Sequence, residues 1–112
     1  MKIKIEQLNE RIDLFATGVL VPNAKNPMTK FKIGFLRGAT GNGIKLPPEY
    51  EDGLRTLGVL DDAGCVDLDA LRKAMFAGLD LAGTLPIAPL GITLDRSDLE
   101  RGFHVLETGK VD

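Results

Sequence analysis

Cys65–Met75 reads CVDLDALRKAM and Ile92–Phe103 reads ITLDRSDLERGF. The match between these two stretches decides the fold. In each, apolar extended residues lead into an aspartate, Asp67 or Asp95. Apolar residues then follow four and eight positions on, Leu71 and Met75 in one and Leu99 and Phe103 in the other. An aspartate just ahead of an apolar stripe is a helix N-cap, because its carboxylate accepts from amides that the first turn leaves unpaired. The first cap opens a helix with Leu68, Leu71, Met75 and Leu79 on its inner face and Arg72 and Lys73 outside. The second opens a last helix with Leu99, Phe103 and Leu106 inside and Gly109 at its end. The short extended stretches around Val66 and Thr93 are expected to pair antiparallel and so bring the two helix starts together.

Helical spacing also governs the chain upstream. Ile5, Leu8, Ile12, Phe15, Val19 and Leu20 make one apolar stripe among polar residues, which predicts a first helix over about residues 4–20, ended by Pro22 and Asn23. Asn26 as cap and Pro27 as first helical residue predict a second helix, with Met28, Phe31, Phe35 and Leu36 facing inward and Gly38 at its end. A strand over residues 31–36 is the rival reading, since Phe31, Ile33 and Phe35 alternate with Lys32 and Gly34, but the caps favour a helix. Pro48 opens a third helix with Glu49, Glu51 and Asp52 at the positive end of its dipole. Tyr50, Leu54 and Leu57 make its inner face and Gly58 stops it. Glycines and prolines preclude a helix across TLPIAPLGI, Thr84–Ile92, where a loop followed by a short strand is expected.

These elements define a mainly α fold: four to five short helices in one compact domain, with a small two-stranded antiparallel β-ribbon. At 112 residues the chain fits a single domain spanning 1–112 with one modest core. A flexible Gly-rich loop at 38–46 and a disordered tail at about 109–112 are expected. The hydrophobic fraction of 44% and charged fraction of 27% are ordinary for a globular protein. Fourteen basic residues are scattered among sixteen acidic ones, for a net charge of -2. No cationic stripe stands out, so a nucleic-acid partner is disfavoured.

The longest nearly unbroken apolar run, LFATGVLV at Leu14–Val21, falls far short of the ~20 residues of a membrane span. Glu6, Glu10 and Asp13 between the first lysines and that run argue against a signal peptide. The single Cys65, read as a buried thiol, allows no intrachain disulfide and fits a reducing, cytoplasmic compartment.

Two stretches suggest chemistry at first sight. RGATGNGIK, residues 37–45, has the glycines and lysine of a phosphate loop. However, Lys45 stands one residue too far beyond Gly43, Leu46 replaces the hydroxyl residue, and Pro47 and Pro48 interrupt the helix such a loop needs. LDDAGCVDLDAL, residues 60–71, resembles the second half of a calcium-binding EF-hand loop. In that register Val59 and Ala70 occupy the positions of the leading carboxylate and the bidentate acid, and Asp61 with Asp67 cannot complete a calcium shell.

His104 is the sole histidine and is read as a surface or half-buried residue. Ser97, the sole serine, is read as a helix-start residue, and the carboxylate pairs Glu49/Glu51 and Asp95/Asp98 lie at helix starts. No catalytic residue, metal ligand or cofactor site is assigned. The sequence favours a non-enzymatic module that self-associates or docks on a protein partner. Its surface would be Ile5, Leu8, Ile12 and Phe15 on the first helix, or the apolar connection with Leu85, Ile87 and Leu90. One alternative is a small-ligand-binding or enzymatic domain with its site between residues 38–45 and the acidic turn Asp61–Asp62. A further alternative is a mobile-element or nucleic-acid accessory protein.

Overall fold

The computed structural model describes residues 1–24, 26–37, 48–87 and 92–112. In chain order they form β1 (Lys2–Lys4), α1 (Ile5–Phe15) running on into a π-helical turn (Ala16–Leu20), α2 (Pro27–Arg37), α3 (Glu49–Thr56), β2 (Cys65–Asp67), α4 (Leu68–Ala82), β3 (Leu85–Ile87), β4 (Ile92–Leu94) and α5 (Arg96–Thr108). The fold is mainly α, with two antiparallel ribbons, β1–β2 and β3–β4. The radius of gyration, 13.4 Å, matches the roughly 13 Å of a compact chain of this size.

The caps form as their residue types require. The Asp67 carboxylate accepts from the amides of Asp69 and Ala70 at 3.1 and 3.2 Å, opening α4. Asp95 and Asp98 make a reciprocal capping box at the start of α5. Asn26 accepts from the Met28 amide at 3.0 Å with Pro27 as the first residue of α2, so 31–36 is helical. Gly58, which follows α3, and Gly83 and Gly109, the C-caps of α4 and α5, have φ of +76°, +80° and +71°, a region where a Cβ is costly.

The strand pairing differs from the expected one. Val66 pairs with Ile3 and Thr93 pairs with Pro86, so β2 and β4 belong to separate ribbons. Residues 2–4, of which only Lys4 falls in the first helix expected over about 4–20, are a strand whose burial alternates exposed, buried, exposed. Residues 85–87, read as loop, are a strand as well. Pairing 85–87 with 92–94 closes a short loop at little entropic cost, while Val66 takes its partner from the far end of the sequence, Ile3, so loop length does not set that ribbon.

One cluster forms the interior. α1 packs on α5 and α4 packs on α5, and Leu8, Phe15, Val66, Leu68, Leu71, Leu79, Leu99, Phe103, Val105 and Leu106 are buried between them. Gly102 lets α5 approach α1, because a Cβ there would lie 3.2 Å from the Phe15 ring. Tyr50 ties α3 to α1 by donating to Asn9 Oδ1 at 2.6 Å, and burial pushes its phenol pKa up. The π-helical turn is closed by the Val21 amide donating to the Ala16 carbonyl at 2.9 Å. Val111 lies against Gly18 of this turn, and His104 Nε2 is 2.6 Å from the Asp112 backbone oxygen.

Candidate interaction face

Most amphipathic faces in this chain are used internally. On α1, Leu8 and Phe15 are in the core, and Ile5 and Ile12 are half-buried against it. The first-helix stripe therefore packs within the chain. Leu85, Ile87 and Ile92 are also half-buried against the core, so the described part of the apolar connection covers it; Leu90 lies outside the described residues. On α3, Leu54 is buried and Tyr50 half-buried, but Leu57, read as inward-facing, is exposed. It sits at the C-cap, beyond the last helical turn that could carry it inward.

α2 reverses the expectation most clearly. Met28, Phe31 and Phe35 are 51%, 67% and 79% exposed, while Ile33 on the opposite side is 1% exposed. At about 100° per residue the three exposed side chains fall within roughly 60° of one another, a continuous apolar strip along the helix. The helix rests on the π-helical turn, with Ile33 as its buried anchor. Phe31 and Phe35 stand one turn apart with Gly34 beside them, and a Cβ on Gly34 would meet no atom within 4 Å. The result is a shallow groove of about 460 Å³, floored by Gly34, walled by the two phenylalanines and edged by Pro27 and Lys30.

Along the sequence, the stretch that contains this helix is one-sided in charge. No Asp or Glu occurs between Asp13 and Glu49, whereas Lys25, Lys30, Lys32, Arg37 and Lys45 all fall there. The stretch carries +5 in a chain whose net charge is -2. The remaining residues then hold nine cations against sixteen anions, a net of -7. Counting charges over the whole chain hides this division, and a scan for acid-free runs exposes it. Lys30 is exposed at the groove edge.

The other features singled out in the sequence have structural work. Asp61 accepts from the amides of Ala63 and Cys65 at 3.0 and 2.8 Å and lies 3.8 Å from Lys2 Nζ, so its carboxylate builds the turn. Gly64, at φ +79°, follows the same turn, and Cys65 is half-buried. The Gly-rich stretch 38–46 lies outside the described residues. Among the described residues no group of three or more His, Cys, Asp or Glu side chains converges as a metal site would require. His104 is exposed and Ser97 stands in the first turn of α5.

A second groove, lined by Asp69, Arg72, Lys73, Phe76, Arg96 and Glu100, has its arginines engaged. Arg72 stacks over Phe76 and Phe103 at 4.9 and 5.6 Å and faces Glu107 at 3.7 Å. Arg96 stacks over Phe76 at 5.4 Å and pairs with Asp80. No described helix is long and apolar enough to cross a membrane. No family model matches the chain, and neither a curated protein nor a solved structure is similar to it.

Proposed function

We propose that this chain is a small non-enzymatic protein-interaction module and that α2 is the face it offers. The observation that carries this reading is the strip of Met28, Phe31 and Phe35, three large apolar side chains in water on a helix anchored to the core by Ile33. Isolated exposed apolar residues are ordinary, but three on one arc of one helix leave a contiguous patch whose burial is favourable at about 25 cal/mol per Å². The contact surface is thus moved from the first helix, whose stripe is occupied internally, to the second. Pairing of two copies across a two-fold axis through this strip would set Lys30 and its neighbours against like charges, which favours a different partner. The half-buried, unpaired Cys65 suits the cytoplasmic location that this reading carries.

Site-specific photocrosslinking in the native cell tests the proposal. A photoreactive phenylalanine analogue at position 31 or 35 is expected to trap a discrete protein adduct. The same analogue in place of Leu81, which is 91% exposed on α4, is expected to trap none. Absence of any adduct at 31 and 35, or identical adducts at all three positions, would rule α2 out as the contact face.

A further inference from the structure

We infer that residues 109–112 are a releasable strap that clamps the π-helical turn, Ala16–Leu20, in its five-residue register. Contacts at three points tie this segment down after α5. At its start Gly109 turns the chain at φ +71°, and its amide donates to the Val105 carbonyl at 2.8 Å. The Arg11 guanidinium of α1 lies 3.4 Å from where a Gly109 Cβ would stand, and Arg11 Nη1 donates to the Leu106 carbonyl at 2.6 Å. The point where the strap leaves α5 is thereby fixed on α1. In the middle Val111 lies on Gly18, so close that a Cβ at position 18 would be 2.7 Å from its γ-carbon. At the far end His104 Nε2 is 2.6 Å from the Asp112 backbone oxygen, and since that oxygen can only accept, the ring nitrogen donates.

Gly18 is the seat of the clamp. A π-helical turn is rare, and helical segments owe most of their stability to tertiary packing. Glycine at the centre of this turn weakens it further, since any other residue but proline favours a helix more. Val111 takes the space that a side chain at position 18 would fill, so a residue from beyond α5 packs the turn from outside. The grip is slight. Val111 is 41% exposed and Lys110 and Asp112 are exposed, whereas Ala16, Val19 and Leu20 of the turn are buried in the shared core. A segment with so few buried contacts opens locally at a small fraction of the free energy of global unfolding. The strap therefore lifts while the core stays folded, and the turn loses its outer packing whenever it does.

Amide hydrogen exchange followed by NMR tests this at the Val21 amide, which closes the turn on the Ala16 carbonyl. In the wild type this amide is expected to exchange through a local opening, with less protection than the amides of Met75 and Phe103 and little dependence on low urea. Val111→Ser and His104→Ala are each expected to lower its protection by about threefold or more. Both positions are exposed, so both variants should fold, which far-UV circular dichroism checks. Gly18→Ala separates the strap from helix propensity, because alanine favours the helix while its methyl group evicts Val111. Protection at Val21 is expected to fall in that variant as well. Adding Val111→Ser to Gly18→Ala is expected to lower it no further, since both changes remove one contact.

Protection at Val21 equal to that of Met75 and Phe103, with the same urea dependence, would overturn the inference by showing that the turn opens only with the whole molecule. Protection indifferent to Val111→Ser and His104→Ala would show that the strap does not hold the turn. Higher protection in Gly18→Ala would reduce position 18 to a matter of helix propensity, and additive losses in the double variant would mean that Val111 acts somewhere other than on Gly18; either result rejects the clamp.

Discussion

Gly34 lies within α2, where glycine is less favourable than alanine by about 1 kcal/mol, and the space above its Cα is open. Gly34→Ala is therefore expected to raise the unfolding free energy by about 1 kcal/mol in urea titrations, with no change in helix content. A destabilised variant would mean that another group occupies that space. The same residue illustrates what the sequence conceals. Met28, Phe31 and Phe35 are large apolar side chains, and hydrophobicity alone assigns them to the interior. The interior was instead claimed by Ile33, through the way α2 rests on the π-helical turn. That choice is tertiary, and no local pattern encodes it.

Among the elements, helix starts and stops were readable because a cap is a contact between residues two to four apart. Asp67, Asp95 with Asp98, Asn26 with Pro27, Gly58 and Gly109 all do locally what their chemistry dictates. Strand partners were not readable, since three-residue strands such as Lys2–Lys4 and Leu85–Ile87 carry too little alternation to announce themselves. The cap of α5 also makes a pH-dependent contribution. The Asp98 amide, then the Asp98 side chain and Arg101, hold the Asp95 carboxyl below its ordinary pKa, against a smaller opposing effect of desolvation. A carboxyl lowered by folding stabilises above its unfolded pKa of about 3.9 and loses that contribution as pH falls through the folded value. Asparagine caps without titrating. The stability difference between the wild type and Asp95→Asn is therefore expected to shrink from about pH 7 to about pH 3 in denaturant titrations at each pH. A difference independent of pH would show that the ionised carboxylate adds nothing to the cap.

At the scale of the molecule, one cluster joins α1, α4, α5 and the β1–β2 ribbon, with α3 attached through Leu54 and the Tyr50–Asn9 hydrogen bond. A single shared core predicts one cooperative transition. Leu8, 1% exposed, touches the centre of it, and Leu8→Ala is expected to cost about 2–5 kcal/mol. Tyr50 is the only tyrosine and there is no tryptophan, so tyrosine fluorescence reports on α3 while far-UV circular dichroism reports on all helices. The two transitions should coincide in the wild type and shift together in Leu8→Ala, whereas separated midpoints would divide α3 from the rest. The uneven charge of the sequence also belongs to this scale, because it is visible only once residues 14–48 are set against the remainder of the chain.

The π-helical turn at Ala16–Leu20 closes its bond over five residues where an α-helix uses four, so the first helix contains one residue more than its hydrogen-bond ladder requires. Each α-helical residue turns the chain by about 100°. Removing the surplus residue would preserve a helix yet swing everything after Val21 by about that angle, carrying Ile33 out of its seat and aiming the phenylalanines elsewhere. The direction in which the molecule points its apolar strip is thus an indexing property of the chain, set by a count of residues in a neighbouring helix.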